Sequence, residues 1–584
     1  MNPGGRTDDT LPKLLLAHAT TRPRAVALRH KSRGLWSEVD WRGYADSVAA
    51  LAHRLSADGV GPGDAVAILS DNRPEWLYAD LAAQSLGARS AGVYQTNPVD
   101  DVAYVLAHSG ASVVFCEDQE QVDKVVACAP ATPSVRRVVV FDDRGTRGYA
   151  DPRLVSYARY VDGPGPPAGW FEAAVAATDP HAPAMIVYTS GTTGPPKGAL
   201  LTADNALSAS RSLVPRLAVT ERDQLLSYLP LCHVAEKIFS EFLPLSTGAV
   251  VHFGESIATV QSDLAEVSPT IFLGVPRIWE KLHAGVVLRM KDASWPARAL
   301  FAWGARQRGP VGRALADLLV WRALHEHLGL RRCRLAVSGA APISTEILRW
   351  FHQVGLEVVE GYGMTECAGV SHVNVPGRAR IGTVGEGLPG FEFRLADDGE
   401  VLLRGAHVFA GYLHDPAATA AAVDPEGWLH TGDLGQIDDG YLSIVGRKKD
   451  LLITSGGKNL SPEKIENALK ASPYVKEVVA TGDGRHFVSA LVQIDADAVG
   501  DWATRRRLPY GDYADLAGNP EVVALIEAEV ERANRGLAQV EQVRRVRLLP
   551  RELHQDEGEL TATQKVRRKG VLARWGGLVE EMYR

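Results

Sequence analysis

The sequence predicts an α/β protein: a large amino-terminal part built on parallel-type sheets, then a small α+β domain at the carboxyl end. Two observations lead there. Apolar, β-prone runs recur up to about residue 445 at intervals long enough for crossover helices. After about residue 446 the pattern changes to short strands interleaved with amphipathic helices.

Taken in order, Asp64-Ala-Val-Ala-Ile-Leu-Ser-Asp71 reads as a buried strand. Pro74 to Gln84 reads as the helix after it, with proline where a first helical turn needs no N–H. Ser112–Cys116, Val138–Phe141, Thr270–Leu273 and Leu335–Ser338 are further strand-like runs, and the Pro/Gly-rich stretch 163–169 reads as a loop or linker. In the small domain Glu463–Lys470 is helical, and Val478–Ala480 and Phe487–Ile494 are strands around a Gly-Asp-Gly turn. Pro520–Leu537 is an amphipathic helix capped by Asn519, with Val522, Leu525, Ile526 and Val530 at helical spacing. Gln542–Leu548 is a last strand.

The 584 residues carry a net charge of −7 spread over both signs. That balance argues against a nucleic-acid binder held by a broad basic face and favours small metabolites. Five scattered cysteines, without CxxC or Cys/His spacing, indicate neither a disulfide framework nor a zinc site. The opening Met1-Asn-Pro-Gly-Gly-Arg6 lacks the order of a signal peptide, and no run approaches the roughly 20 apolar residues that span a bilayer. The cytoplasm is the expected compartment.

Tyr188-Thr-Ser-Gly-Thr-Thr-Gly-Pro-Pro-Lys-Gly198 follows the β-prone run Ala184–Thr189 and concentrates three glycines, four Ser/Thr hydroxyls and one lysine. Glycines let backbone N–H groups approach an anion, hydroxyls add donors and Lys197 adds a point charge, so the segment suits a polyphosphate. It is not a Walker loop. Pro195 and Pro196 remove the N–H donors before the lysine, and Gly198 stands where that pattern needs Ser or Thr.

Six more segments follow: Leu229-Pro-Leu-Cys-His-Val-Ala-Glu236, Val337-Ser-Gly-Ala-Ala-Pro342, Glu360-Gly-Tyr-Gly-Met-Thr-Glu366, Trp428-Leu-His-Thr-Gly-Asp433, Gly446-Arg-Lys-Lys-Asp450 and Glu559-Leu-Thr-Ala-Thr-Gln-Lys565. In their order and spacing the chain resembles the adenylate-forming enzymes, the superfamily of acyl-CoA synthetases, luciferases and nonribosomal-peptide adenylation domains. The resemblance covers nearly the whole chain.

It implies a domain 1–446 that binds AMP and the acyl group, and a mobile domain 447–584 turning about a hinge near Lys449. Thr189, Ser190, Gly191, Thr192, Thr193, Gly194 and Lys197 would hold the ATP phosphates. Adenine would lie against Tyr362, with Gly361 and Gly363 beside it and Gly339, Ala340 and Ala341 as a small-residue wall. Asp433 and Arg447 would take the ribose hydroxyls, Thr365 the α-phosphate, and Glu366 would hold Mg²⁺, a hard cation suited to oxygen ligands. His233 and Glu236 lie where the resemblance puts the carboxylate-facing side of the acyl site. Lys565 would cancel the repulsion between the carboxylate and the α-phosphate; Ala562 stands where long-chain relatives usually have proline.

The implied reaction is ATP-dependent activation of a carboxylic acid to acyl-AMP, then transfer to coenzyme A. Phe272-Leu-Gly-Val-Pro-Arg-Ile-Trp-Glu-Lys281 and Gly382-Thr-Val-Gly-Glu-Gly-Leu-Pro-Gly390 look like long-chain fatty acyl-CoA synthetases. The alternatives are a fatty acyl-AMP ligase feeding a carrier protein, a carboxylic acid reductase module, which the chain's end after the small domain disfavours, and a non-catalytic lipid or nucleotide sensor, which the presence of Lys565 and Glu366 disfavours. Arg298–Arg334 mixes Arg with Leu, Trp and Phe, and reads either as a solvated face over the core or as a face for peripheral membrane contact.

Overall fold

The computed structural model describes residues 9–189, 195–561 and 564–584. Strands Ala65–Leu69, Arg89–Val93, Ala111–Cys116, Arg137–Val140, Leu154–Ser156 and Pro183–Thr189 pair in parallel. Lys197–Thr202 and Gly411–Tyr412 add antiparallel strands at one edge to complete an eight-stranded sheet. Successive side chains of a strand point to opposite faces, and here both faces are covered. Val66 and Ile68 enter one apolar core, while Ala65, Ala67 and Leu69 enter another. The predicted helix after the first of these strands runs Pro74–Ser85.

The second sheet has thirteen strands. Val26–Ser32, Val250–Phe253, Gln224–Ser227, Ile271–Gly274, Leu335–Ser338 and Val358–Tyr362 pair in parallel. Leu225, Ile271, Leu273 and Val337 share the core of Val66 and Ile68, so the largest core lies between the two sheets. Phe272, Ala336 and Val358 face outward into a separate core with Trp279 and Phe351. From Tyr362 onward this sheet turns antiparallel, through His372–Val373, Gly385–Gly387, Tyr441–Arg447, Leu429–Asp438, Glu400–Arg404 and Glu392–Leu395. The sequence reading foresaw the parallel half and not this ribbon, three of whose six strands, His372–Val373, Gly385–Gly387 and Glu392–Leu395, are two to four residues long and too short to show a period.

Beyond Leu452 the chain builds a core of its own. Val475–Thr481 and Val488–Ile494 are antiparallel, and Val543–Leu548 lies parallel to the middle strand. Val478, Ala490 and Val492 pack with Ile465, Val522 and Ile526, whereas Val479 and Leu491 pack on the other face with Val571 and Met582. The helix Pro520–Asn534 starts at Asn519, whose side chain accepts from the Glu521 N–H at 2.9 Å. Polar contacts join this part to the rest: Arg277 to Glu477 at 2.7 Å, Lys291 to the Tyr474 hydroxyl at 2.9 Å, and Arg532 to Glu346 at 2.9 Å. Among the described residues no helix is long and apolar enough to cross a membrane.

Candidate active site

A continuous cavity of about 2450 Å³ runs between the large part and the small one; the described residues expected to bind or act on a substrate border it, except Glu236. On one wall, Thr189 and Lys197 are directly opposed on neighbouring antiparallel strands. Ser190, Gly191, Thr192, Thr193, Gly194 and Ala562 lie outside the described residues. The Lys197 ammonium stands over the Tyr412 ring, 5.0 Å from its centroid, and the Tyr412 hydroxyl donates to Glu366 Oε1 at 2.6 Å. Tyr412 escaped the sequence reading because it ends a two-residue strand with no flanking pattern. Thr365 and Glu366 are both buried in a short helical turn just after the strand ending at Tyr362.

The next wall comes from the junction of parallel and antiparallel strands. The Tyr362 hydroxyl donates to Asp433 Oδ2 at 2.7 Å, and Arg447 Nε reaches Asp433 Oδ1 at 3.1 Å. Asp433 and Arg447 face each other in register across adjacent strands, which fixes the pair. Burial raises the Asp433 pKa, against the pull of Arg447 and the Tyr362 hydroxyl. Gly363 is required by close approach: a Cβ there would lie 2.5 Å from the carbonyl oxygen of Gly369. Gly339 and Gly361 have room, so they leave a flat, open surface rather than relieving a clash. Ala340 holds a left-handed φ of 66°, which turns its carbonyl into play.

That carbonyl accepts a hydrogen bond from Lys565 Nζ at 2.7 Å, across 225 residues of sequence. Water reaches the Lys565 side chain through the cavity, yet protein crowds it, and this burial together with the charge of Arg447 lowers its pKa. Its loop is tied by the Thr561 N–H to the Lys565 carbonyl at 2.8 Å and by the Lys565 N–H to Thr561 Oγ1 at 3.0 Å. Lys449 lies in the exposed turn between Tyr441–Arg447 and Leu452–Ile453, at the passage from one part to the other.

A third wall begins at His233. It caps the helix Val234–Lys237, and its Nδ1 accepts from the Ala235 N–H at 3.2 Å. That bond assigns the proton to Nε2, and burial with the charge of Lys565 pushes the ring's pKa down to about 4. His233 is thus a neutral donor near neutral pH. Glu236 does not join it. It is buried behind the wall, accepting from Ser227 at 2.7 Å and Ser240 at 2.5 Å, and burial lifts its pKa to about 7. Its place one turn from His233 on a four-residue helix points it inward. Asn72, missed from sequence, fixes the loop: its Nδ2 donates to Ser227 Oγ and the Leu229 carbonyl, and its Oδ1 accepts from the Leu231 N–H.

Apolar side chains continue this wall. Ile238 and Phe239 border the cavity from a π-helical turn, a geometry that often accompanies functional sites. Beneath them the fully buried Lys237 donates to Asp80 at 2.7 Å and Glu241 at 2.5 Å, a closed ion cluster whose disruption would leave a buried charge uncompensated. Tyr228 stacks on Phe272 at 5.6 Å and donates to the Leu273 carbonyl, and Trp279 meets Phe272 edge-on at 5.5 Å. Each aromatic pair adds about 0.5–1.5 kcal/mol beyond area burial and holds the helix Pro276–Asp292 at the cavity rim.

Among the described residues bordering the cavity, Glu366 could serve as a ligand of a divalent cation. The buried Glu366 carboxylate offers a hard oxygen donor beside the wall of Thr189 and Lys197; among the described residues no group of three metal-ligating side chains exists, so the remaining ligands would have to be phosphate oxygens or water.

The profile of the AMP-binding enzyme family matches residues 15–413, and that of the AMP-binding enzyme C-terminal domain matches residues 449–584. The chain is 35% identical to the long-chain-fatty-acid–CoA ligase FadD15 of Mycobacterium tuberculosis, over 98% of this chain and 97% of the relative. It is 31% identical to the long-chain-fatty-acid–CoA ligase ACSBG2 of Gallus gallus, over 95% of this chain and 79% of the relative. The fold is similar to the adenylation domain of the carboxylate reductase of Mycobacterium chelonae, with a TM-score of 0.77 at 22% identity over 98% of this chain and 91% of that one. Profile and relatives alike run along nearly the whole sequence, and the chain belongs to the AMP-binding enzymes.

Proposed function

We propose that the protein is a long-chain acyl-CoA synthetase that activates a fatty acid with ATP through an acyl-AMP intermediate. The observation that carries this reading is the Lys565 ammonium, brought from the small part to 2.7 Å from the Ala340 carbonyl in the cavity that also holds Tyr362, Asp433 and Lys197. The substrate class is supported by the named activity of the FadD15 and ACSBG2 relatives.

In the first half-reaction a carboxylate oxygen bonds to the α-phosphorus as the bond from that phosphorus to the bridging oxygen breaks, releasing pyrophosphate. Two anions approach, and their repulsion sets much of the barrier. Lys565 would neutralise both, and Thr365 would donate to the α-phosphate. The neutral His233 Nε2–H would orient the incoming carboxylate. Tyr362, lying between Gly361 and Gly363 and sharing the cavity with Gly339, Ala340 and Ala341, would hold adenine; Asp433 and Arg447 would hold the ribose. Thr189 to Gly194 and Lys197 would grip the leaving phosphates. Glu366 would hold magnesium, which when bound neutralises phosphate oxygens.

In the second half-reaction the coenzyme A sulfur bonds to the acyl carbon, the bond from that carbon to the AMP oxygen breaks, and the thiol proton leaves to solvent. The Lys565 loop occupies one side of the cavity, so a thiol needs another arrangement. We assign domains 1–446 and 447–584 and a hinge at Lys449, whose exposed turn is suited to absorb the backbone change. The reading includes a cytoplasmic setting, in keeping with five free thiols, and peripheral contact with a membrane.

Pyrophosphate release across saturated acids of rising length, with and without coenzyme A, tests the reading. It predicts a response that rises toward long chains and turnover that requires coenzyme A. A flat response across all lengths would remove the long-chain assignment.

A further inference from the structure

The two strands that carry the glycine- and hydroxyl-rich segment are held from outside the cavity by one helix. Tyr188 and Thr189 close the strand Pro183–Thr189, Lys197 opens the strand Lys197–Thr202, and the pairs Tyr188 with Gly198 and Thr189 with Lys197 stand in register. The helix Val99–Ser109 reaches both ends. Its Tyr104 hydroxyl donates to the Pro196 carbonyl at 3.0 Å, and its His108 Nδ1 meets the Tyr188 hydroxyl at 3.0 Å. The Tyr188 hydroxyl also donates to the Val105 carbonyl of the same helix at 3.4 Å. Residues 104 and 108 are one turn apart and share a helix face. One of them therefore holds the residue before Lys197, and the other the residue before Thr189. Neither Tyr104 nor His108 borders the cavity.

The rings of this group fix one another. Tyr104 and His108 stack with centroids 5.3 Å apart, and His108 meets Tyr188 edge-on at 5.8 Å and His414 edge-on at 5.5 Å. On the other edge of the second strand the Leu413 N–H donates to the Gly198 carbonyl at 2.8 Å, and the Tyr412 ring lies 5.0 Å from the Lys197 ammonium. Pro195 and Pro196 bring no N–H, so a carbonyl is the only polar backbone group either offers for anchorage. Tyr104 takes that carbonyl at Pro196. Since the peptide unit is planar, holding its carbonyl orients the link between Pro196 and Lys197 and with it the point from which the lysine side chain starts.

We propose that Tyr104 and His108 are positioning residues for ATP, which set Lys197 and Thr189 toward the leaving phosphates without touching the nucleotide. The proposal rests on the phosphate-binding role given above to Thr189 to Gly194 and Lys197. It separates ATP from AMP. The residues proposed to hold adenine and ribose, Tyr362, Asp433 and Arg447, are fixed by bonds among themselves, and none of those bonds involves the helix Val99–Ser109. AMP lacks the two phosphates that Lys197 would grip, so its binding should not sense the helix.

The test is calorimetric titration of the full chain with ATP and magnesium and, separately, with AMP. Tyr104→Phe removes one hydroxyl and keeps the ring; ATP binding should weaken by about fivefold, the worth of one hydrogen bond, and AMP binding should change by less than about twofold. His108→Ala should act in the same direction and with the same preference for ATP. In the Lys197→Ala background Tyr104→Phe should weaken ATP binding by less than about twofold, because its effect passes through that lysine. Either single variant binding ATP like wild type, or weakening ATP and AMP alike, would overturn the proposal, as would an undiminished effect of Tyr104→Phe beside Lys197→Ala. The reading beneath it is checked in the same series: Lys197→Ala that binds ATP like wild type would remove the phosphate-binding role and this proposal with it, whereas Lys197→Ala that weakens ATP binding while Tyr104→Phe does not would remove the proposal alone.

Discussion

Replacing Lys565 by alanine separates the chemistry of the first half-reaction from folding. The side chain faces water inside the cavity, and the two backbone-level ties between Thr561 and residue 565 do not need the ammonium. Stability should therefore change by no more than about 0.5 kcal/mol, as for other exposed positions. The rate should respond strongly. Removing one donor from a site of developing negative charge costs about 2.7–4 kcal/mol, a factor of roughly 10² to 10³. The upper end applies here, because the neighbouring cation Arg447 is held by Asp433 at 3.1 Å and is not free to take over. The assay is single-turnover pyrophosphate release from ATP and a long-chain acid, run beside thioester formation from supplied acyl-AMP and coenzyme A. Adenylate formation should fall by about 10³ while thioester formation changes only a few-fold. A loss of less than about tenfold in adenylation, or equal losses in both steps, would refute the role given to Lys565.

Three further outcomes follow from the same geometry. Lys197→Ala should impair ATP use in adenylate formation and largely spare thioester formation, since Lys197 stands over Tyr412 on the wall proposed to hold the phosphates; comparable loss in both assays would contradict this. Lys449→Pro fixes φ in the turn between the two parts and should slow one half-reaction more than the other, with equal slowing counting against a hinge there. His407 is buried against Phe391, its ring centroid 3.5 Å away, and burial pushes its pKa down to about 3. The unfolded chain then binds the proton first, so this group's contribution to stability is complete above pH 6.5 or so and is lost as pH falls toward 3. At pH 5 the loss is about 2 kcal/mol, and His407→Leu should flatten the fall in denaturation midpoint between pH 7 and pH 5; an unchanged slope would refute the assignment.

The chemistry-bearing residues were legible because each segment mixes glycine, hydroxyl and charge in ways that ordinary loops rarely repeat in order. Structure brings the described candidate site residues of those segments to one cavity, from Thr189 to Lys565, and leaves Glu236 behind its wall. The parallel strands were legible because Ala65–Leu69 and Ala111–Cys116 are buried on both faces and so read as unbroken apolar runs. What was hidden depends on contacts distant in sequence. Tyr412 gains meaning only because its strand pairs with Lys197–Thr202 and its hydroxyl meets Glu366. Asn72 acts on a loop 155 to 159 residues away. Glu236 was expected with His233 on the carboxylate-facing side of the acyl site, but it is aimed at Ser227 and Ser240. The Arg298–Arg334 stretch leaves two readings open, since composition cannot tell which face of a helix its neighbours cover; the structure adds that Phe301 packs edge-on against the buried Trp321.

The central claim is that one cavity performs both half-reactions on a long-chain acid. Its most direct test mixes stoichiometric enzyme with ATP, magnesium and a labelled long-chain acid, quenches in acid, and repeats the experiment with coenzyme A added after the first step. Labelled acyl-AMP should form at about one per active site without coenzyme A and pass into acyl-CoA in a single phase once it is added. Acyl-AMP that persists in the presence of coenzyme A, or the absence of any acyl-AMP, would contradict the account.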